Sequence, residues 1–512
     1  MDYMLNREAL AAGEIIYDGC QEQPVDLDIS LPDYCPDIQR ILKCQVYPRI
    51  TGRNVMGDRL ELEGTYNVKV FYLDAGGNTL RCCENSSSFF AAITMKQAVD
   101  HAHVCAFTRV EYINCRATSP RRLDIHGAFS VCAKVIGRTE SEVVCHIDSD
   151  EVEQQKRSMP YSRIAGFCGQ QFSVEETLEL PSSKPGAENI LRSTAYVNLQ
   201  DSKLVANKLM VKGEVNLKIL YSSVLDESML ELMEYAIPFS QMLDCNDLTD
   251  DCLCNVKLSV AGLSIQVKND YSGDKTYFES QVNLYAEAVA YQGAEVTVVT
   301  DAYSKEYELE IGYKQKTVEK VVELLTDSIL QKNSIALEDT GITKVFDIWN
   351  EMSAVNAAEQ DGQIVFKGKF NVCILAANQE NRPFYTERML DFEYTHPWGA
   401  EKPSGVRCAP ELSVAGISYR ITGGGIEVKT ELRLSTEVTS QSSLKIISDV
   451  RADEDRPRAK DTSAALSIYF ADSGESLWNI ARTYCTSVSA IQQENDLAGE
   501  FVENRGMLLI PM

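Results

Sequence analysis

Basic residues are scarce in this chain. Lys and Arg number 49 against 75 Asp and Glu over 512 residues, a net charge of −26. A surface of that sign repels phosphate backbones and anionic headgroups, which excludes most nucleic-acid and membrane-surface roles. Long apolar runs are missing too: none reaches the ~18 residues that a membrane-crossing helix needs. The opening MDYMLNREALAAGEII carries acidic residues early and no apolar stretch, so no secretory leader is expected. Histidine is rare, with five in the chain, and no GxxxxGK[ST], GxSxG, HExxH or paired CxxC motif occurs. No enzyme is indicated, and neither a catalytic residue nor a cofactor is expected.

Sixteen cysteines are present, but their spacing is irregular: Cys82 and Cys83 are adjacent, and Cys252 and Cys254 are one apart. Without a leader they read as reduced thiols of a cytoplasmic protein. His101, His103 and Cys105 in HAHVC alternate along one strand face. A fourth ligand is lacking, so ordinary strand alternation is the better reading and no metal is expected. The TGGG at 422–425 reads as a hairpin turn, since no helical pattern follows it to cradle a phosphate.

What is present is repetition. LELEGTYNVKVFY (60–72), LMVKGEVNLKILY (209–221) and IVFKGKFNVCILA (364–376) align without gaps. Gly64, Gly213 and Gly368 coincide, as do Asn67, Asn216 and Asn371. Apolar residues alternate on both sides of the glycine, the period of a half-buried strand, and such a glycine points to a bulge or a close backbone approach. The register extends to LSVAGLSIQV (258–267) against LSVAGISYRI (412–421), with TRVEYINCRA (108–117) the looser first copy. Upstream, LPDYCPDIQRIL (31–42) lines up with LPSSKPGAENIL (180–191), and ITKVFDIWNEM (342–352) holds the third place without the prolines.

The offset of about 150 residues is a domain's worth of chain. The expected fold is therefore mainly β: three tandem antiparallel β-rich domains, each a sandwich or curved sheet, at 1–156, 157–303 and 304–448. A few helices are expected between strands. KTVEKVVELLTDSIL (316–330) places Val318, Val321, Val322, Leu325 and Ile329 on a helical stripe. A charged linker is read at 449–463, and a small β-α-α-β module at 464–512. In that module Leu477, Ile480, Ala481 and Tyr484 form one helical stripe, and Ser487 caps a second short helix.

LPDYCPDIQRIL followed by LEGTYNVKVFY resembles the SPOCS domain of clostridial spore-coat proteins. SGESLWNIARTY, SVSAIQQEN and MLLIP resemble a LysM module, with Cys485 in place of a common glycine and Met507 in place of a frequent glutamine. The LysM resemblance implies binding loops at Gly474, Glu475, Ser476, Leu477, Asn495, Asp496 and Leu497. Trp478 is placed either to stack on a sugar or to pack beside Arg482. The two resemblances together point to SipL-type coat morphogenetic proteins. They imply a non-catalytic scaffold in the mother-cell cytoplasm at the forespore surface, its LysM module docking on a spore-coat morphogenetic protein, the coat ATPase. The alternative they imply is a binder of peptidoglycan or another N-acetylglucosamine polymer.

Overall fold

The computed structural model describes residues 2–98, 102–205, 208–245, 248–337, 341–397, 405–458 and 465–511. The first unit comprises β1 (Met4–Ser30), β2 (Ile38–Met56), β3 (Arg59–Asp74), β4 (Leu80–Thr94), β5 (Ala102–Ser119) and β6 (Arg122–Asp148). The second repeats it as β7 (Val152–Glu179), β8 (Ala187–Val205), β9 (Lys208–Ser223), β10 (Leu230–Asp244), β11 (Leu253–Lys268) and β12 (Tyr277–Ser304). The third has β13 (Tyr307–Ala336), β14 (Lys344–Gln360), β15 (Gln363–Ala377), β16 (Pro383–His396), a short β17 (Val406–Cys408), β18 (Glu411–Thr422) and β19 (Gly425–Pro457). A terminal module follows, with β20 (Leu466–Ala471), α1 (Leu477–Thr483), α2 (Val488–Glu494) and β21 (Gly506–Pro511).

Each unit is a two-sheet antiparallel sandwich. One sheet is a meander, β2-β3-β4, β8-β9-β10 or β14-β15-β16. The other is a long ribbon of the unit's first and last strands, β1-β6, β7-β12 or β13-β19, joined by β5, β11 or β18. Inward alternation fills the space between them. In the first unit Leu60, Val68 and Phe89 of the meander meet Val25, Leu123 and Phe129 of the ribbon sheet.

The aligned glycines sit at one register position of the meander's middle strand. Gly64 lies between Ile50 and Phe89, Gly213 between Leu199 and Phe239, and Gly368 between Val355 and Phe392. In each unit a bulge in the first strand adjoins the glycine's partner. The phenylalanine ring takes the place of the missing side chain: a Cβ on Gly64 would stand 2.4 Å from Phe89 Cζ, and one on Gly213 2.7 Å from Phe239 Cζ. A bulge and a glycine bend a sheet so that it wraps its core.

The paired prolines have a partner in the same strand. Tyr72 donates its hydroxyl to the Pro36 carbonyl at 3.3 Å, and Tyr221 does the same to Pro185 at 3.0 Å. The third unit lacks both prolines and carries Ala376 at the tyrosine's position. The motif and its clamp are absent together.

The units are also fused. Phe71, Leu220 and Leu375 occupy equivalent positions and share one core with Leu191, Phe346 and Trp349. A second shared core joins the ribbons through Leu10, Val143, Met159, Val298, Val318 and Ile446. Between equivalent strands, Arg192 pairs with Asp347 at 2.6 Å with both side chains almost fully buried.

Three expectations are corrected. The stretch 316–330 is not a helix but part of β13, paired along its length with β19. Val318, Val321 and Leu325 belong to three different clusters, and the register slips between Val321 and Glu323. That bulge breaks the alternation of inward residues, so a period-2 strand mimics a helical spacing. Among the described residues the helices are α1 and α2 alone. The charged run is no tether over 449–457, because β19 continues to Pro457; residues 459–463 lie outside the described set. Finally, Cys20–Cys132 and Cys168–Cys245 are disulfides, so the thiols are not all free. Register places Cys20 opposite Cys132 across 112 residues of sequence, which residue spacing does not reveal.

Candidate interaction site

The terminal module has the expected β-α-α-β order. Leu477, Ile480, Ala481 and Ile491 fill its core under Leu508 and Ile510 of β21. Ser487 caps α2 by accepting from the Ala490 N–H at 3.1 Å. Ser476 begins α1 without a side-chain cap.

The residues of the implied binding loops divide by role. Leu477 is fully buried. Asn495 is a brace: its amide donates to the Ile491 and Leu509 carbonyls at 2.8 and 2.7 Å and accepts from the Leu509 N–H at 2.7 Å. Glu475 accepts from the Tyr469 hydroxyl at 2.9 Å. The two loops do come together: Leu477 N–H donates to Glu500, Val502 N–H donates to Glu475, and Ser476 bridges Phe501. Gly474 and Asp496 are exposed and hold φ of 87° and 52°. Leu497 is half-buried against the module's core.

Trp478 points to the repeats. Its indole N–H donates to Asp301 at 2.9 Å, and its ring stands edge-on to Tyr303 at 4.9 Å. Arg482, one turn on, pairs with the same Asp301 at 2.9 Å and donates to the Ala302 carbonyl. Tyr303, itself buried, donates to the Thr486 carbonyl at 2.6 Å; burial pushes its phenol well above the ordinary range. From β19's end, Arg458 donates to the Arg482 carbonyl at 3.0 Å. Asp301–Tyr303 close β12, so the module is seated on the second unit rather than hanging free. Of the two placements read for Trp478, packing beside Arg482 is the one observed, with Asp301 as the group that ties both.

With α1 turned inward, the outer face of the β20–β21 pair presents an apolar surface. Ile468 and Phe470 are 60% and 77% exposed, and Met507, opposite Phe470, is 55% exposed. Sequence patterning assigns Ile468 and Phe470 only to a strand, whereas Met507 stands out there as a departure from the LysM pattern.

Of two further polar clusters, the first holds a histidine weighed as a metal ligand in HAHVC, and the second is not legible in the sequence. His103 is buried with its ring 5.8 Å from that of Phe167, and burial, aided by Lys257, lowers its pKa to about 4. It is a neutral core histidine; His101 lies outside the described residues. Glu351, Cys373 and Glu387 bring ligand-type atoms within 4.8 Å of one another. Lys43 from the first unit is already there, 3.6 Å from Glu351 and 2.8 Å from Glu387. Burial works against its charge, but the two carboxylates outweigh that and hold its pKa above the usual value. Burial also raises the Cys373 thiol to about 12, so it is protonated beside the ammonium at neutral pH. The resident cation is the ammonium.

No helix of the described residues is long and apolar enough to cross a membrane. No curated protein and no solved structure matches the chain. Residues 37–118 and 187–268 each match the family model described as SipL, SPOCS domain. These segments run from β2 through β5 and from β8 through β11, so they begin and end at equivalent points of the first two units: the chain carries SPOCS-domain repeats.

Proposed function

We propose that this protein is a non-catalytic assembly scaffold of spore-coat morphogenesis, whose LysM-like terminal module docks on a coat morphogenetic protein at the forespore surface. The observation that carries the reading is the pair of SPOCS matches at equivalent positions. By resemblance, the partner is the coat ATPase and the compartment the mother-cell cytoplasm. A protein partner is favoured over an N-acetylglucosamine polymer because Trp478, the aromatic that would stack a sugar, is engaged by Asp301 and Tyr303. The module's remaining surface suits a protein: Ile468, Phe470 and Met507 form an apolar stripe. Six acidic residues against two arginines in 464–512 favour a basic rim on the partner.

The test uses the full-length chain against purified coat ATPase and, separately, peptidoglycan sacculi. Phe470→Ser and Ile468→Ser are expected to abolish ATPase capture, and Glu475→Lys or Asp496→Lys to weaken it, with circular dichroism unchanged. Retention on sacculi, with ATPase capture absent or indifferent to these variants, would favour the glycan reading.

A further inference from the structure

A cleft of about 300 Å³ lies between the first unit's meander and the second unit's ribbon sheet. Arg49, Thr65, Asn67 and Ser86 line it from one side, Ser264 and Asn283 from the other. Hydroxyls and amides make up most of its walls, beside Ala261, Gly262 and Leu263, with one cation among them.

That cation has no local purpose. Among the described residues Arg49 forms neither an ion pair nor a side-chain hydrogen bond, whereas the nearby Lys69 is paired with Glu84 at 3.1 Å. A partly buried guanidinium with no carboxylate in direct contact loses hydration for little local return. Burial accordingly lowers its pKa, opposed by the Tyr47 phenol and the Glu84 carboxylate.

Nor is it a feature of the repeat. Arg49 stands opposite Thr65; the same register position holds Asn198 opposite Glu214 in the second unit and Ala354 opposite Lys369 in the third. The fold therefore requires no arginine there.

We propose that this cleft binds a small, hydroxyl-rich oxyanion, such as a sugar phosphate or a sugar acid, through the Arg49 guanidinium. The guanidinium fork holds the phosphate or carboxylate with two parallel N–H donors. Thr65, Asn67, Ser86 and Ser264 stand where they exchange hydrogen bonds with the ligand's hydroxyls. The volume suits a single monosaccharide, at the low end of ligand pockets. The chain's net negative charge keeps bulky polyanions away, so a compact ligand is the class that enters.

Calorimetric titration of the full-length protein at low salt tests this with glucose 6-phosphate, gluconate, inorganic phosphate and glucose. Saturable binding is expected for glucose 6-phosphate or gluconate, weaker binding for phosphate and none for glucose. Arg49→Gln is expected to weaken binding at least about tenfold, the loss of one charge-assisted contact. Thr65→Glu is expected to do the same by placing a carboxylate at the guanidinium. The second unit already carries Glu214 at that position, so the strand tolerates it. Should Arg49→Gln fail to fold by circular dichroism, Thr65→Glu decides. The proposal falls if neither charged sugar binds saturably, if Thr65→Glu binds as tightly as the parent, or if phosphate binds as tightly as glucose 6-phosphate.

Discussion

The first two units and the third share one topology but hold themselves together differently. In the first two, Lys69 pairs with Glu84 and Lys218 with Glu234 across the meander, and a tyrosine clamps the second proline. The third unit keeps the acid, Glu387, but has Cys373 opposite it and Ala376 where the tyrosine stood. Its acid is neutralised from outside, by Lys43 of the first unit. Its Asp347 is neutralised by Arg192 of the second, whose guanidinium lies 4.1 Å from the Trp349 ring centroid. At these positions local ties were exchanged for ties between units, while Lys367–Glu393 and Lys369–Asp391 still pair across the third meander. The lesson is that a repeat diverges where it meets its neighbours and is kept where it closes on itself.

The comparison can be broken at the Arg192–Asp347 pair. Asp347→Ala leaves a buried guanidinium unpaired and is expected to cost about 3–5 kcal/mol in urea unfolding. The joint change Arg192→Met with Asp347→Leu removes both charges and is expected to recover most of that loss. The equivalent Lys43→Met should cost less, because Glu351 and Glu387 are partly exposed and reach water. Equal effects would deny the third unit its dependence on the seam.

Titration sharpens it next. His103 folds with its pKa lowered from 6.5 to about 4, so the unfolded chain binds the extra proton between those values. Stability contributed here is complete above pH 6.5 and falls as pH drops toward 4, by ~3 kcal/mol in all. His103→Gln is expected to flatten that part of the stability–pH curve by close to one proton. An unchanged slope would place the acid sensitivity elsewhere.

A smaller effect tests what the units share. Gly213→Ala would push a methyl to 2.4 Å from the Asn198 carbonyl and 2.7 Å from Phe239 Cζ. Backbone on one side prevents relief, so a loss of about 1–3 kcal/mol is expected. Gly64→Ala meets the Arg49 carbonyl at 2.2 Å and should match it. Comparable losses mark one bent-sheet device; indifference to both would mean the glycine match is incidental.

The smallest global effect is expected at the module's seat. Asp301→Ala removes the acceptor of Trp478 and Arg482, weakening docking by about 1–3 kcal/mol while the repeats unfold as before. Hydrogen exchange of the Tyr303 neighbourhood and α1 should quicken, with the meander strands unchanged. No change in exchange would mean that Tyr303 and Arg458 alone secure the module.

Much of this organisation was readable from residues. Alternation around Gly64, Gly213 and Gly368, the doubled prolines and the short terminal helices are local patterns, and local patterns follow from strand pleat, turn chemistry and capping. The helical reading of 316–330 failed because a bulge is a property of a pair of strands, and one strand's sequence does not show it. The candidate site was legible in part. Leu477 and Trp478 were singled out, but Asp301 lies 177 residues from Trp478, and no pattern links them. The same holds for Cys20 with Cys132, Lys43 with Glu387, and Arg192 with Asp347. By itself the sequence determined most of the strand segments, that they recur three times, and that a small helical module follows. Only the tertiary structure decided which copies lean on each other and where the module sits, because burial, register and charge pairing between distant strands arise when the sheets pack.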